Sequence, residues 1–230
     1  MDRLPLLVSV PHAGLVVPPE VKDLCVLGQG DIVADGDEGS REIYDIQNHV
    51  AALVTTEVPR AIVDVNRSAA DRRDDGVVKT VTIWNKPVYS APLHEKSIQG
   101  LITKYYEPYH KKLTQLSKSK VILGIDCHTM VAEAPPIGPD PGSKRPDLCV
   151  SNADGTCPDE WIRAFASCIE EAFGREVFVN RPFRGGYIIR SHANELPWVQ
   201  IEMARREFMS LEEKKQRVLD SLKMFCFRIL

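Results

Sequence analysis

This 230-residue sequence has little of what classifies a protein at a glance. No apolar stretch approaches the ~20 residues of a membrane-spanning helix. Met1-Asp2-Arg3-Leu4-Pro5 leads directly into a short strand pattern, without the apolar core and small-residue cleavage site of a secretory signal. The six cysteines, at 25, 127, 149, 157, 168 and 226, form no Cys-x-x-Cys pair. Cys168 and Cys226 fall in apolar helical stripes, where a buried free thiol is the ordinary outcome. These absences lead us to expect a cytoplasmic protein with reduced thiols. Net basic charge is missing too: 29 lysines and arginines against 32 acids leave a formal charge of −3. That offers no electrostatic footprint for nucleic acid or an anionic membrane. The dense charge run Asp71-Arg72-Arg73-Asp74-Asp75 mixes signs and reads as a solvated loop. With no internal repeat, low-complexity tract or long linker, a single domain over 1–230 is expected.

What is present is an ordinary globular composition, 43% hydrophobic and 27% charged, long enough to bury a core without disulfide staples. Leu6–Val10 is a β-rich run stopped by Pro11-His12-Ala13-Gly14. Residues 40–54 place Ile43, Gln47, Val50, Ala51 and Val54 at helical spacing, and Ala61–Val65 reads as a buried strand ending in Asn66-Arg67. Ile98, Leu101, Ile102, Tyr105, Tyr106, Tyr109, Leu113 and Leu116 trace one face of a long helix that Pro108 should kink. Val121–Ile125 is a strand delivering Asp126-Cys127-His128, and the five prolines of 131–149 mark a loop. Trp161 to Phe173 form a helix closed by Gly174. Val177–Val179 and Tyr187–Ile189 read as strands, with Gly185-Gly186 able to turn a hairpin between them. Trp198–Glu202 is a further strand, and Ser210 with Glu213 is a capping box opening a terminal helix. Strands alternating with helices predict a three-layer α/β/α domain with a largely parallel sheet.

Ligands in open α/β sheets bind beyond the carboxyl ends of the strands. His12, Asn66-Arg67, Asp126 with His128, and Glu202 fall at those ends. Alternation puts Asp126 and His128 on one face and Cys127 on the other, which disfavours a Cys127–His128 nucleophilic pair. Taken singly, each has a plainer explanation: a loop histidine, a turn-capping aspartate, a surface glutamate, a structural Arg67–Asp71 pair. Together they make a set. A hydrolytic zinc site takes three ligands from His and carboxylate and leaves a position for water. His12, His128 and an acid from Asp37-Glu38 would supply these, and Glu202 a general base. Arg67 or Arg184 could hold a substrate carboxylate bidentately.

These residues sit in blocks that resemble a known family. Ser9-Val10-Pro11-His12-Ala13-Gly14, Val63-Asp64-Val65-Asn66-Arg67, Asp126-Cys127-His128-Thr129-Met130, Arg184-Gly185-Gly186-Tyr187 and Gln200-Ile201-Glu202 occur in the order seen in N-formylglutamate amidohydrolases. Pro108-Tyr109-His110 looks like that family's helix. The resemblance implies a zinc carboxypeptidase-like (phosphorylase/hydrolase-like) fold, a mixed twisted sheet between helices. It implies His12 and His128 as metal ligands, Glu202 as the base, Asn66 and Arg67 on a substrate carboxylate, and Gly185, Gly186 and Tyr187 in a loop over the substrate. Arg184 would stand beside the developing oxyanion. The carboxypeptidase-like His-x-x-Glu is broken here by Ala13-Gly14-Leu15, so the third ligand must come from Asp37 or Glu38; the family's Asp-x-Asp segment aligns with Asp35-Gly36-Asp37 and favours Asp37.

The activity implied is that of a metal-dependent amidohydrolase acting on a non-peptide C–N bond. It would use one Zn2+, or another divalent ion, to remove a formyl or small acyl group from a small carboxylate such as N-formylglutamate. Competing readings are an amidase or peptidase on another acyl amino acid, a non-catalytic metal- or ligand-binding protein, and a two-metal phosphoesterase. Retention of Glu202 weighs against the non-catalytic reading, since a structural zinc site needs no base. The phosphoesterase wants more carboxylates.

Overall fold

Leu6, Val8 and Val10 point to one face of the first strand and Leu7 to the other, and this alternation divides the interior into two cores. In the computed structural model, which describes residues 3–138 and 140–230, that strand is β1 (Leu4–Val10). It is followed by helix α1 (Gln29–Asp35), the single turn α2 (Ser40–Ile43), β2 (Val50–Thr55), and α3 (Glu95–Leu101) running into α4 (Glu107–Ser117). Next come β3 (Leu123–Met130), β4 (Leu148–Ser151), α5 (Asp159–Phe173), β5 (Val177–Val179), α6 (Tyr187–Ser191), β6 (Trp198–Ala204) and α7 (Leu211–Ile229). Met1, Asp2 and Pro139, parts of the N-terminal and proline-rich readings, lie outside the described residues.

The six strands form one sheet in the order β2-β1-β3-β6-β4-β5. β2, β1, β3 and β6 are parallel, β4 runs antiparallel to β6, and β5 is parallel to β4. Residues of α2, α5 and α7 pack on the face bearing Leu6, Val8, Ile125 and Cys127; residues of α3, α4 and α6 pack on the face bearing Leu7 and Trp198. This is the expected three-layer α/β/α architecture with a mixed, largely parallel sheet. The terminal helix opens on the expected Ser210–Glu213 capping box, and Gly174 closes α5 in the left-handed conformation at φ 62°. Pro108 is accommodated by a π turn over Ile102–Tyr106, in which the Glu107 amide reaches back to the Ile102 carbonyl. Among the described residues, no helix is long and apolar enough to cross a membrane.

Four local expectations are corrected. The helical spacing of 40–54 holds only through Ile43. Val50, Ala51 and Val54 belong to β2, whose β-branched residues find a pairing edge on β1. Ala61–Val65 is buried as expected but lies in turns, with Val63 and Val78 making an isolated bridge. Its amides are used locally, Ile62 and Val63 both bonding the Pro59 carbonyl. Tyr187–Ile189 opens α6, so Gly185-Gly186 turns no hairpin; the Ile188 amide is taken by Asn66 Oδ1 rather than by a strand. The proline-rich segment ends earlier than expected, since Leu148 begins β4, four fully buried residues without alternation.

Candidate active site

The carboxyl ends of β1, β3 and β6 bring the catalytic candidates together. β1 stops at Val10, and the carbonyl of His12 accepts the Asp37 amide at 3.2 Å, which sets Asp37 beside His12. His12 Nδ1 lies 3.2 Å and His128 Nδ1 2.9 Å from the same oxygen, Asp37 Oδ2. Each imidazole is held at its other nitrogen by a further carboxylate: Asp64 Oδ1 is 2.9 Å from His12 Nε2, and Asp126 Oδ2 is 2.8 Å from His128 Nε2. Asp126 is itself fixed by the Ser9 hydroxyl at 2.7 Å, with the Tyr109 hydroxyl 2.8 Å behind. Ligand atoms of His12, Asp37 and His128 all lie within 4.8 Å of one another, and all three residues are buried. Carboxylate–histidine pairs of this kind orient a metal ligand and raise its basicity. Two imidazoles and one carboxylate are also the donor set of hydrolytic zinc sites. The residues therefore fit a divalent ion.

Electrostatics agree with that fit. Burial alone would raise the carboxyls of Asp37 and Asp64, but His12 and His128 beside Asp37, and His12 with Arg60 and Arg67 beside Asp64, outweigh it and hold both well below the usual range. Burial likewise opposes charge on His128, yet Asp126, Glu202 and Asp37 around it push its value well above the ordinary one. Such a cluster of buried acids invites a cation.

Glu202 lies directly opposite His128 in the β3–β6 register, with Gln200 Nε2 donating to it at 2.9 Å. Burial lifts its carboxyl to about 7, against the pull of His128. A cavity of about 410 Å3 opens over these groups.

The remaining expected residues occupy distinct places. Asn66 donates its amide to Asp64 Oδ1 at 2.9 Å and sets its side-chain nitrogen 3.3 Å from His128 Nε2. Arg67 lines the cavity one-third exposed, steadied by the Asp75 carbonyl and carboxylate at 3.2 and 3.4 Å. Gly185 takes φ +95°, and a Cβ on Gly186 would fall 2.3 Å from the Asn66 side chain, so this loop packs onto Asn66 as a bigger residue could not. Tyr187 faces inward, edge-on to the His110 ring at 5.7 Å, and is not part of the cavity wall. Arg184 stands at the rim, 72% exposed and 3.5 Å from Asp154. Glu38 is exposed, its carbonyl bonded by Thr129 and its side chain outside the histidine cluster. The carboxylate that meets both histidines is that of Asp37.

Sequence reasoning did not assign Arg60, Arg145, Arg205 or Gln200, all of which line the cavity, and it gave Asp64 and Asp126 no role on the histidines. Asp126 was readable, two residues before His128 on the same strand face. The arginines carried no local signal.

An α/β sheet with a buried His-Asp-His cluster and a glutamate across the strand pair defines a metallohydrolase-type site. A model of the N-formylglutamate amidohydrolase family matches residues 4–209. The chain belongs to the N-formylglutamate amidohydrolase family. It is 27% identical over 229 residues to the N-formylglutamate deformylase of Pseudomonas putida, covering 92% of this chain and 84% of that protein. To the deformylase of Pseudomonas aeruginosa it is 25% identical, covering 90% and 83%. The crystal structure of an N-formylglutamate amidohydrolase from Ralstonia eutropha shares the fold at a TM-score of 0.78, with 20% identity over 100% of this chain and 94% of that one. A gene product of Agrobacterium tumefaciens shares it at 0.75, with 17% identity over 97% and 88%.

Proposed function

We propose that the protein is a zinc-dependent amidohydrolase that removes the formyl group from N-formylglutamate. The observation that carries this is the convergence of His12, His128 and Asp37 opposite Glu202, in a member of this family. His12 Nδ1, His128 Nδ1 and Asp37 would hold the ion, with Asp64 and Asp126 orienting the two imidazoles. When bound, the ion supplies Lewis acidity and a water acidified toward a pKa of ~7.

Glu202 accepts the proton of the attacking water and returns it to the amine nitrogen as the C–N bond breaks. Its carboxyl, raised to about 7 by burial, suits both halves of that exchange near neutrality. Asn66 and Arg67 hold the α-carboxylate and align the formyl carbon with the water. The Gly185–Gly186 backbone, pressed against Asn66, keeps that amide in place. Arg184 at the rim meets the incoming anion, and its side chain must turn inward to reach a developing oxyanion.

The test is release of formate and glutamate from N-formylglutamate by zinc-loaded protein, with His128→Ala as the control. Turnover that the control lacks is expected. Absence of turnover on this compound, with hydrolysis of other acyl amino acids, keeps the chemistry and overturns the substrate.

A further inference from the structure

Arg145 comes from the proline-rich segment before β4 and has no part in the chemistry above. It is 8% exposed and lines the cavity. Asp140 grips its guanidinium through Nε at 3.2 Å and Nη2 at 2.8 Å, and the Phe183 ring lies 4.7 Å from its central carbon. The Arg145 amide is tied to the Ala132 carbonyl at 2.9 Å. A planar fork held on one edge and one face is a preorganised anion receptor. Among the described residues, its Nη1 has no hydrogen-bond partner.

Charge in the cavity points the same way. Among the described residues, five arginines line it against the three carboxylates of Asp37, Asp64 and Glu202, in a chain whose formal charge is −3. Two of those arginines are taken by the protein. Arg60 bonds Asp64 and the Asp35 carbonyl, and Arg205 bonds the carbonyls of Ala34 and Gly36. Arg67 and Arg145, paired on one side with Asp75 and Asp140, each keep an Nη1 that bonds none of the described residues, and both face the space a substrate would fill. Strand order sets them apart. Arg67 stands 3.8 Å from Asp64, which holds His12 after β1, whereas Arg145 leads into β4, where Cys149 lies beside Glu202 of β6. Asp75 and Asp140 hold one side of each fork, and a single substrate carboxylate could meet only one of the two edges left toward the cavity.

We propose that Arg145 is a specificity residue that binds the side-chain carboxylate of an N-acylated acidic amino acid while Arg67 binds the α-carboxylate. This rests on the amidohydrolase reading above and adds to it the substrate class: dianionic acyl amino acids in preference to neutral ones. The Arg145 edge that Asp140 leaves open gives a carboxylate a charge-assisted hydrogen bond, which the isosteric neutral amide can replace only with a weaker one.

The experiment compares N-formylglutamate with N-formylglutamine, equal in shape and different by one charge, in zinc-loaded wild type, Arg145→Gln and Arg145→Lys. It reads both kcat/KM and calorimetric affinity. Wild type is expected to favour N-formylglutamate by about 10- to 100-fold. Arg145→Gln should lose most of that preference through KM, with N-formylglutamine within about threefold of wild type; Arg145→Lys, which keeps charge without the fork, should fall between. Melting curves of the variants check the fold. Equal losses on both compounds would assign Arg145 to the reacting centre and overturn the proposal, as would an unchanged preference. If no compound turns over but binding still discriminates through Arg145, the specificity assignment stands and the deformylase reading falls. If wild type neither turns over nor discriminates in binding, both fall.

Discussion

Among the described residues, two pairs of histidines lie ring against ring. His12 and His128 have centroids 4.9 Å apart and tilted by 56°; His110 and His192 have centroids 5.2 Å apart and stacked at 9°. In the first pair neither ring bonds the other. Asp37 stands between their Nδ1 atoms, and Asp64 and Asp126 hold the outer nitrogens. In the second pair, His110 Nδ1 meets His192 Nε2 directly at 2.9 Å. His110 gives its other nitrogen to the Val65 carbonyl, and Glu195 is the carboxylate at the far end, on His192 Nδ1. The consequence is opposite titration. His128 is raised well above its ordinary value, whereas burial and the neighbouring His192 push His110 down to about 4. Paired histidines are therefore not a metal site by themselves. The number of carboxylates around the rings decides it, and among the described residues only the first pair belongs to a metal-capable group.

The contrast can be broken most forcefully at Asp37. Asp37→Ala is expected to reduce bound zinc from about one ion per chain to near none, measured by elemental analysis. Hydrolysis should fall by roughly a thousandfold or more, since both the Lewis acid and the activated water are lost. His192→Ala, in the other pair, should keep its zinc. Zinc loss from His192→Ala alone would erase the distinction.

Glu202→Gln should retain the ion and lower kcat by about 10²–10⁴-fold, the usual contribution of a positioned base. A near-wild-type rate would remove Glu202 from the mechanism. Smaller again, Asp64→Asn and Asp126→Asn should each weaken zinc about 10–100-fold in a chelator competition, because the imidazoles lose the partners that orient them.

The smallest effect tests the second pair through pH. His110 is neutral in the fold down to about 4, whereas in the unfolded chain it takes a proton near its ordinary 6.5. Between those values acid favours the unfolded state, so stability present above pH 6.5 is lost as pH falls toward 4, by up to ~1.4 kcal/mol per unit. The groups around it are His192, Tyr106, Tyr109 and Tyr187 at its ring, with Asp126 and Glu195 within electrostatic range. Melting of wild type and His110→Gln at pH 7 and 4.5 should show a shallower decline in the variant. Parallel declines would mean that His110 titrates normally.

Much of this was legible before any tertiary structure. Asp126 and His128 share a strand face and Cys127 enters the core, as alternation required. The capping box at Ser210 and the glycine after Phe173 were local signals with local causes. Failures came where short apolar runs suited more than one structure. Val50–Thr55 joined a sheet because β1 had an open edge, and Tyr187–Ser191 became helical because Asn66 and Gln200 took the amides of Ile188 and Gly186.

The sequence by itself determined the layered α/β class, the strand-end positions of His12, His128 and Glu202, and the family to which the chain belongs. Tertiary structure alone set the Asp37 carboxylate rather than that of Glu38 against both histidines, gave His12 the support of Asp64, and brought Arg145 to the cavity. The reason is range. Periodicity and capping act over a turn or a strand, whereas Asp37 meets His12 and His128 across 25 and 91 residues of chain. Such meetings depend on which strands lie side by side, and no local pattern encodes that order.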